Sequence, residues 1–239
     1  MQPLHVALAR SGPNGFFRNR TDTCVTDNGF CPGWIVHNLD RYVDPFWQHV
    51  FLTVTSVAAG FVIAFALAVL AHRHRWLVAP VTNVTGILYT LPSVALFFLL
   101  LPITGRGNLT AIVALTAYTL LILFRNVAAG LDGVPEDARD AGRGMGLTER
   151  QLLWRVEMPL ALPAIMAGLR IATTTTVALA SLAFFAGAGG LGDPLEAQKA
   201  FKSNVVVAGG LCVLLAIALD GLLLLVQRQI TPWTRARPA

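Results

Sequence analysis

Five stretches of this chain carry almost no charge, and their lengths restrict the fold more than any other feature. No Asp, Glu, Lys or Arg occurs from Phe46 to Ala71, a run of 26 residues. Two more charge-free runs extend from Trp76 to Gly105 and from Gly107 to Phe124. A fourth apolar region, from about Pro159 to Gly192, is interrupted only by Arg170; a fifth, between Lys202 and Arg228, only by Asp220. About 20 apolar residues suffice for a helix to cross a bilayer. The runs are continuously apolar rather than alternating, which excludes a membrane β-barrel. Only 13% of the residues are charged and 55% are hydrophobic, where soluble domains carry roughly 25% charge. That balance argues against a soluble enzyme and excludes a disordered chain. The expected fold class is all-α, a polytopic membrane protein with five transmembrane helices.

An odd number of spans puts the termini on opposite sides. With the N-terminus outside, the inner face receives Arg73, Arg75, Arg139, Arg143, Arg150, Arg155, Arg228, Arg235 and Arg237. The outer face then has Arg41, Arg106, Lys199 and Lys202 near its spans. Lys and Arg accumulate on the cytoplasmic side, so the expected topology is N-out, C-in. The net charge of +5 then reflects orientation and lipid headgroups; no motif or clustered basic stripe points to nucleic acid.

Residues 1–45 form a polar extracytoplasmic segment without the apolar core of a signal peptide. Within it Ile35, Leu39, Tyr42, Val43, Phe46 and Val50 recur at helical spacing, which suits a helix along the membrane surface, kinked at Pro45. Cys24 and Cys31 could close a small disulfide loop on an oxidising face, and two free thiols fit equally well. Cys212 reads as a small buried hydrophobe.

The only lysines are Lys199 and Lys202, so the chain has no Walker-type phosphate loop. Its five histidines lie in the first third and give neither a metal site nor a His-based triad. Gly187, Gly189 and Gly192 spell GxGxxG but end an apolar run, which makes them a turn rather than a nucleotide site. No catalytic residue, metal site or cofactor is expected in this chain. Three intramembrane charges remain: Arg125, Arg170 and Asp220. Arg170 and Asp220 sit about 10 Å in from the same face with opposite sign. Asp220 is expected to pair with Arg170, with Arg125 as second candidate, and to fasten neighbouring helices; a proton relay is the other reading. Hydroxyls and amides such as Thr82, Asn83, Thr85, Thr116, Thr119 and Thr173 to Thr176 either line a weakly polar path or bond the backbone.

The one sizeable polar stretch between spans, residues 130–162, begins GLDGVPEDARDAGRGMGLTERQLLWRVEMP. One short helix is expected after Pro135. Thr148 caps a second, with Gln151 completing a capping box; it carries Leu152, Leu153 and Val156 on one side until Pro159 ends it. A short amphipathic helix with Ala141, Gly142, Gly144 and Gly146 close together suits docking of a soluble partner, where a solvated connector would be shorter.

The spacing Asp140-Ala141-Gly142, Gly146, Val156-x-Met158-Pro159 resembles the "EAA" loop of binding-protein-dependent ABC importer permeases. Asp140 stands for Glu, Gly142 for Ala, Val156 for Ile and Met158 for Leu. LPSVALF (Leu91 to Phe97), PLALPAIMAGLRIAT (Pro159 to Thr173) and GAGGLGD (Gly187 to Asp193) resemble the subgroup importing glycine betaine, choline, carnitine or proline as osmoprotectants. Methionine-type permeases share the last stretch. The resemblance implies a type I importer permease fold over 46–228, with a coupling loop at 130–162 and a cytoplasmic tail at 229–239. It implies Asp140, Ala141, Gly142, Met145, Gly146, Val156 and Pro159 as coupling residues. It also implies separate ATPase subunits that bind ATP and Mg, an extracytoplasmic solute-binding protein, a second permease subunit (a copy or a relative), and a bacterial plasma membrane as the setting. A stand-alone secondary transporter is the alternative from another class, although no internal repeat is visible.

Overall fold

The structure, a computed structural model, describes residues 23–235. The first 22 residues, most of the stretch read as lacking a signal-peptide core, and the last four, with Arg237, lie outside the described residues. Two short helices, α1 (Thr23–Thr26) and α2 (Pro32–His37), lead through a 3-10 turn (Leu39–Tyr42) into α3 (Val43–Arg73). The expected kink at Pro45 is absent. Pro45 is the third residue of α3, in the first turn, where an N–H has no helical acceptor in any case. Tyr42 leaves the membrane-surface stripe: it is 2% exposed, and its hydroxyl donates to Asn204 Oδ1.

The second apolar run does not form one straight helix. It gives α4 (Val78–Thr90) and α5 (Ser93–Thr104), bent by 100°. Pro92 causes the break, because it lacks an N–H for the Leu88 carbonyl and holds Leu91 extended (ψ 134°). α6 (Asn108–Asp132) follows, then α7 (Glu136–Gly144) and α8 (Glu149–Leu152). Pro159 does not end this helix as expected. A π turn over Leu153–Glu157, in which the Met158 N–H reaches back to Leu153 O, widens the helix ahead of the proline. The chain therefore continues straight into α9 (Met158–Ala180). A glycine turn, α10 (Gly192–Ala197) and α11 (Lys202–Ile230) complete the bundle.

α3, α6, α9 and α11 are each long and apolar enough to cross a membrane. The bent α4–α5 pair also joins the two ends of the bundle. At one end Arg75, just before α4, bonds Asp132 at the close of α6 (2.7 Å). At the other the Gly107 N–H, just after α5, donates to Ala186 O (2.8 Å). The core lies between α3, α6 and α9, where small residues let backbones approach. A Cβ on Gly60 would fall 1.8 Å from Thr119 Oγ1, and one on Gly168 2.3 Å from Asn126 Cβ. One apolar cluster, with Ala64, Ala68, Phe124, Val127 and Ile165, fills the end bearing α7. A second, with Leu52, Phe97, Ala114, Leu115 and Ala183, fills the other. Thr116, Thr119, Thr173 and Thr176 bond backbone carbonyls here.

Candidate docking loop and its charge network

α7 starts after Pro135 with Glu136 and Asp137 in its first turn, where the helix dipole favours carboxylates. It ends in a Schellman cap: the Gly146 N–H donates to Arg143 O (2.9 Å) and the Leu147 N–H to Gly142 O (3.2 Å). That cap needs a left-handed residue, and Gly146 has φ +79°. The capping box expected from Thr148 and Gln151 closes at the start of α8. The loop is thus two preformed helical turns joined at a glycine corner.

The candidate residues divide into two faces. Asp140, Ala141, Met145 and Gly146 point to solvent, Met145 at 73% exposure. Gly142 is buried: a Cβ there would meet Leu152 Cδ1 at 2.5 Å and Val156 Cγ2 at 3.6 Å. Gly142 therefore lets α7 close on Leu152 of α8 and on Val156 of the π turn, and half-buried Pro159 lies in the first turn of α9.

Beneath the loop lies a charge network that sequence reasoning missed. Glu157, 5% exposed, accepts from Arg139 Nε at 2.7 Å and pairs with His72 Nε2 at 3.0 Å. Arg139 also bonds Glu136 Oε2 (2.9 Å) and the Leu131 carbonyl (2.8 Å). Arg143 reaches Glu136 (3.0 Å) and Asp140 (3.2 Å). Side-chain bonds from Arg139 and Arg143 hold the Glu136 carboxyl below the usual carboxylate range. The ends of α3 and α6 and the π turn that leads into α9 are thereby tied to α7 around an open cleft of about 760 Å³, lined by Arg73, Arg75, Arg139, Arg150 and Glu157 among others. A signal was present: Glu157 is the one acid within the apolar LLWRVEMPL stretch, and a buried acid requires a partner. The histidines had been set aside because their positions fit no ligand motif.

Deeper in the bundle, Arg170 and Asp220 form a two-pronged pair, Nε–Oδ1 and Nη2–Oδ2 both at 2.8 Å, joining α9 to α11. Arg125 is exposed on α6 and forms no ion pair among the described residues. At the far end, Cys24 and Cys31 are bonded (Cα separation 6.0 Å). Their loop rests on the first turn of α11, where Ser203 Oγ accepts from the Cys31 N–H at 2.7 Å. In the glycine turn Gly187, Gly189 and Gly190 all have positive φ. Buried His49 supports the turn, accepting from the Leu191 N–H at Nδ1 (3.3 Å) and donating from Nε2 to Val177 O (2.9 Å). Among the described residues no group of three or more His, Cys, Asp or Glu is placed to hold a metal ion.

Comparison with known proteins agrees with this geometry. The chain is 40% identical over 193 residues to the osmoprotectant import permease protein OsmW of Salmonella typhimurium, covering 78% of this chain and 90% of that one. It is 35% identical over 188 residues to the carnitine transport permease protein OpuCB of Listeria monocytogenes (78% and 86%). It is 34% identical over 188 residues to the choline transport system permease protein OpuBB of Bacillus subtilis (78% and 87%). Among solved structures, an inward-facing conformation of the MetNI methionine ABC transporter superposes with a TM-score of 0.66 at 26% identity, over 84% of this chain and 98% of that one. An amino acid ABC transporter gives a TM-score of 0.69 at 14% identity (82% and 96%) and shows the shared fold. The model of the binding-protein-dependent transport system inner membrane component matches residues 53–233. The chain belongs to that family, as a multi-pass ABC importer permease of the bacterial plasma membrane.

Proposed function

We propose that this chain forms half of the membrane path of an ATP-driven importer for osmoprotectants of the quaternary-amine class, such as glycine betaine, choline or carnitine. The permease is not itself the engine. ATP and Mg bind a partner ATPase, whose surface receives Asp140, Ala141, Met145 and Gly146. One observation carries this reading: α7 presents an open outer face while its inner face is bonded to the ends of three bundle helices through Arg139, Glu157 and His72. A push on such a handle moves the spans as rigid bodies, and alternating access is a switch between two packed arrangements. The excess of Arg at this end supports a cytoplasmic position for it, with the Cys24–Cys31 end outside, facing a solute-binding protein. A second permease subunit, a copy or a relative, completes the path.

The substrate class rests on relatives at 34–40% identity named for osmoprotectants, carnitine and choline. The decisive experiment reconstitutes the permease with its ATPase and binding protein and measures solute-stimulated ATP hydrolysis. Glycine betaine, choline or carnitine should stimulate and methionine should not. Gly146→Asp should leave a folded permease whose ATPase no longer responds to solute. Stimulation by methionine alone would overturn the substrate class, and coupling intact in Gly146→Asp would overturn the docking assignment.

A further inference from the structure

The break between α4 and α5 lies where a lipid-facing backbone could not tolerate it. α4 has 13 residues, so at 1.5 Å per residue the break is about 20 Å from the loop end, inside a hydrocarbon layer about 30 Å thick. Pro92 denies the Leu88 carbonyl its usual donor. The last carbonyls of α4 (Leu88, Tyr89 and Thr90) and the first N–H groups of α5 (Ser93, Val94 and Ala95) have no partner within their own helices, and Pro92 gives α5 no side-chain cap. Side chains answer two carbonyls at the bend, Ile87 O by Thr90 Oγ1 (2.8 Å) and Leu91 O by the Tyr118 hydroxyl (2.5 Å), and the Leu96 N–H donates to Pro92 O (3.0 Å). Each unmatched group in lipid costs several kcal/mol, and unwound backbone at this depth is tolerated only where it is buried in protein or lines a water-filled cavity. Thr90 and Tyr89 are exposed, so burial within this chain does not account for it.

The sides of α4 agree. At 100° per residue, Thr82, Asn83, Gly86 and Thr90 share one face, while Val84 and Ile87, 59% and 65% exposed, occupy the neighbouring apolar one. Tyr89 stands beside the polar face at the level of the break, 40% exposed, with its ring set edge-on to Tyr118 at 6.0 Å.

We propose that the α4–α5 break lines the aqueous translocation path, and that the Tyr89 ring is the surface against which a quaternary ammonium solute passes. The solute class rests on the function proposed above; the aqueous lining does not. Unmatched carbonyls and an aromatic face are the two neutral surfaces that attract a cation without requiring a hydrogen-bond donor from it. They hold it weakly, as a transit site must. Tyr118 positions both features by capping Leu91 O and supporting the Tyr89 ring.

The test uses the assembled complex in proteoliposomes with Cys212 replaced by Ala. Thr90→Cys is compared with Val84→Cys for reaction with a membrane-impermeant thiol reagent that carries a trimethylammonium group. Thr90→Cys should react at least tenfold faster, and excess glycine betaine should slow it. Equal rates at the two positions would overturn the aqueous lining. Tyr89→Leu should raise KM for quaternary ammonium solutes roughly two- to thirtyfold, the range of a lost cation–π contact, and Tyr89→Trp should restore it. An unchanged KM in Tyr89→Leu would overturn the role of the ring. A complex that transports no quaternary ammonium solute at all refutes the solute class, and with it the role of Tyr89, while the labelling contrast still decides the lining.

Discussion

Glu157 offers the sharpest test of the loop as a handle. Its carboxylate is 5% exposed and bonds Arg139 at 2.7 Å and His72 at 3.0 Å. Glu157→Gln keeps the shape and one acceptor for Arg139 but removes the charge. A hydrogen bond to a charged group is worth about 1.5–3 kcal/mol and a neutral one about 0.5–1.5, so the loop should loosen by roughly 1–2 kcal/mol. Glu157→Leu removes both acceptors. Breaking a buried pair costs about 3–5 kcal/mol, and the low end applies because Arg139 keeps Glu136 and the Leu131 carbonyl. Amide hydrogen exchange over residues 136–147 reads this local opening. It should accelerate roughly 5- to 30-fold in Glu157→Gln and about 100-fold in Glu157→Leu, while the amides at the centre of α6 stay protected. Solute-stimulated ATP hydrolysis should decline in the same order. Unchanged exchange in Glu157→Leu, or equal loss across the whole bundle, would show that this network is not what fixes the loop.

Other outcomes follow from the same geometry. Gly146→Ala forces a Cβ into a left-handed site (φ +79°) at a cost of about 1–2 kcal/mol; Gly146→Asn should cost less, and equal melting of the two variants would refute the cap argument. Asp220→Asn should impair assembly and transport, and the exchange Arg170→Asp with Asp220→Arg should restore part of both; additive damage in the double variant would deny the pairing. Gly60→Ala sets a methyl 1.8 Å from Thr119 Oγ1 and should lower the melting temperature, with Thr119→Ala rescuing it; absence of rescue would refute that contact. Glu136 titrates below its ordinary value of 4.5. Its share of loop stability is therefore present above that pH and is lost as pH falls through the lower folded value. Acidification below 4.5 should lower the protection of loop amides, relative to their intrinsic exchange rates at each pH, in wild type by more than in Glu136→Gln, and identical acid limbs would contradict this.

Four long apolar helices and the two helical turns of the polar loop were legible in the chain because each is a local signal. Continuous apolar runs need no partner to declare themselves in lipid, and caps at Pro135, Thr148 and Gln151 act over three or four residues. Even the Arg170–Asp220 match came from depth along two helices, a quantity that residue counting supplies. Other features depended on contacts between remote segments. His72 and Glu157 are separated by 85 positions, and Tyr42 and Asn204 by 162; no periodicity encodes such meetings. From sequence, Pro159 is expected to end its helix and Pro92 to lie within a single span, yet Pro159 continues its helix through a π turn and Pro92 turns the chain by 100°. Their local chemistry is the same. What separates them is whether neighbouring helices leave room for the wider turn or draw the chain aside, and only packing in three dimensions settles that.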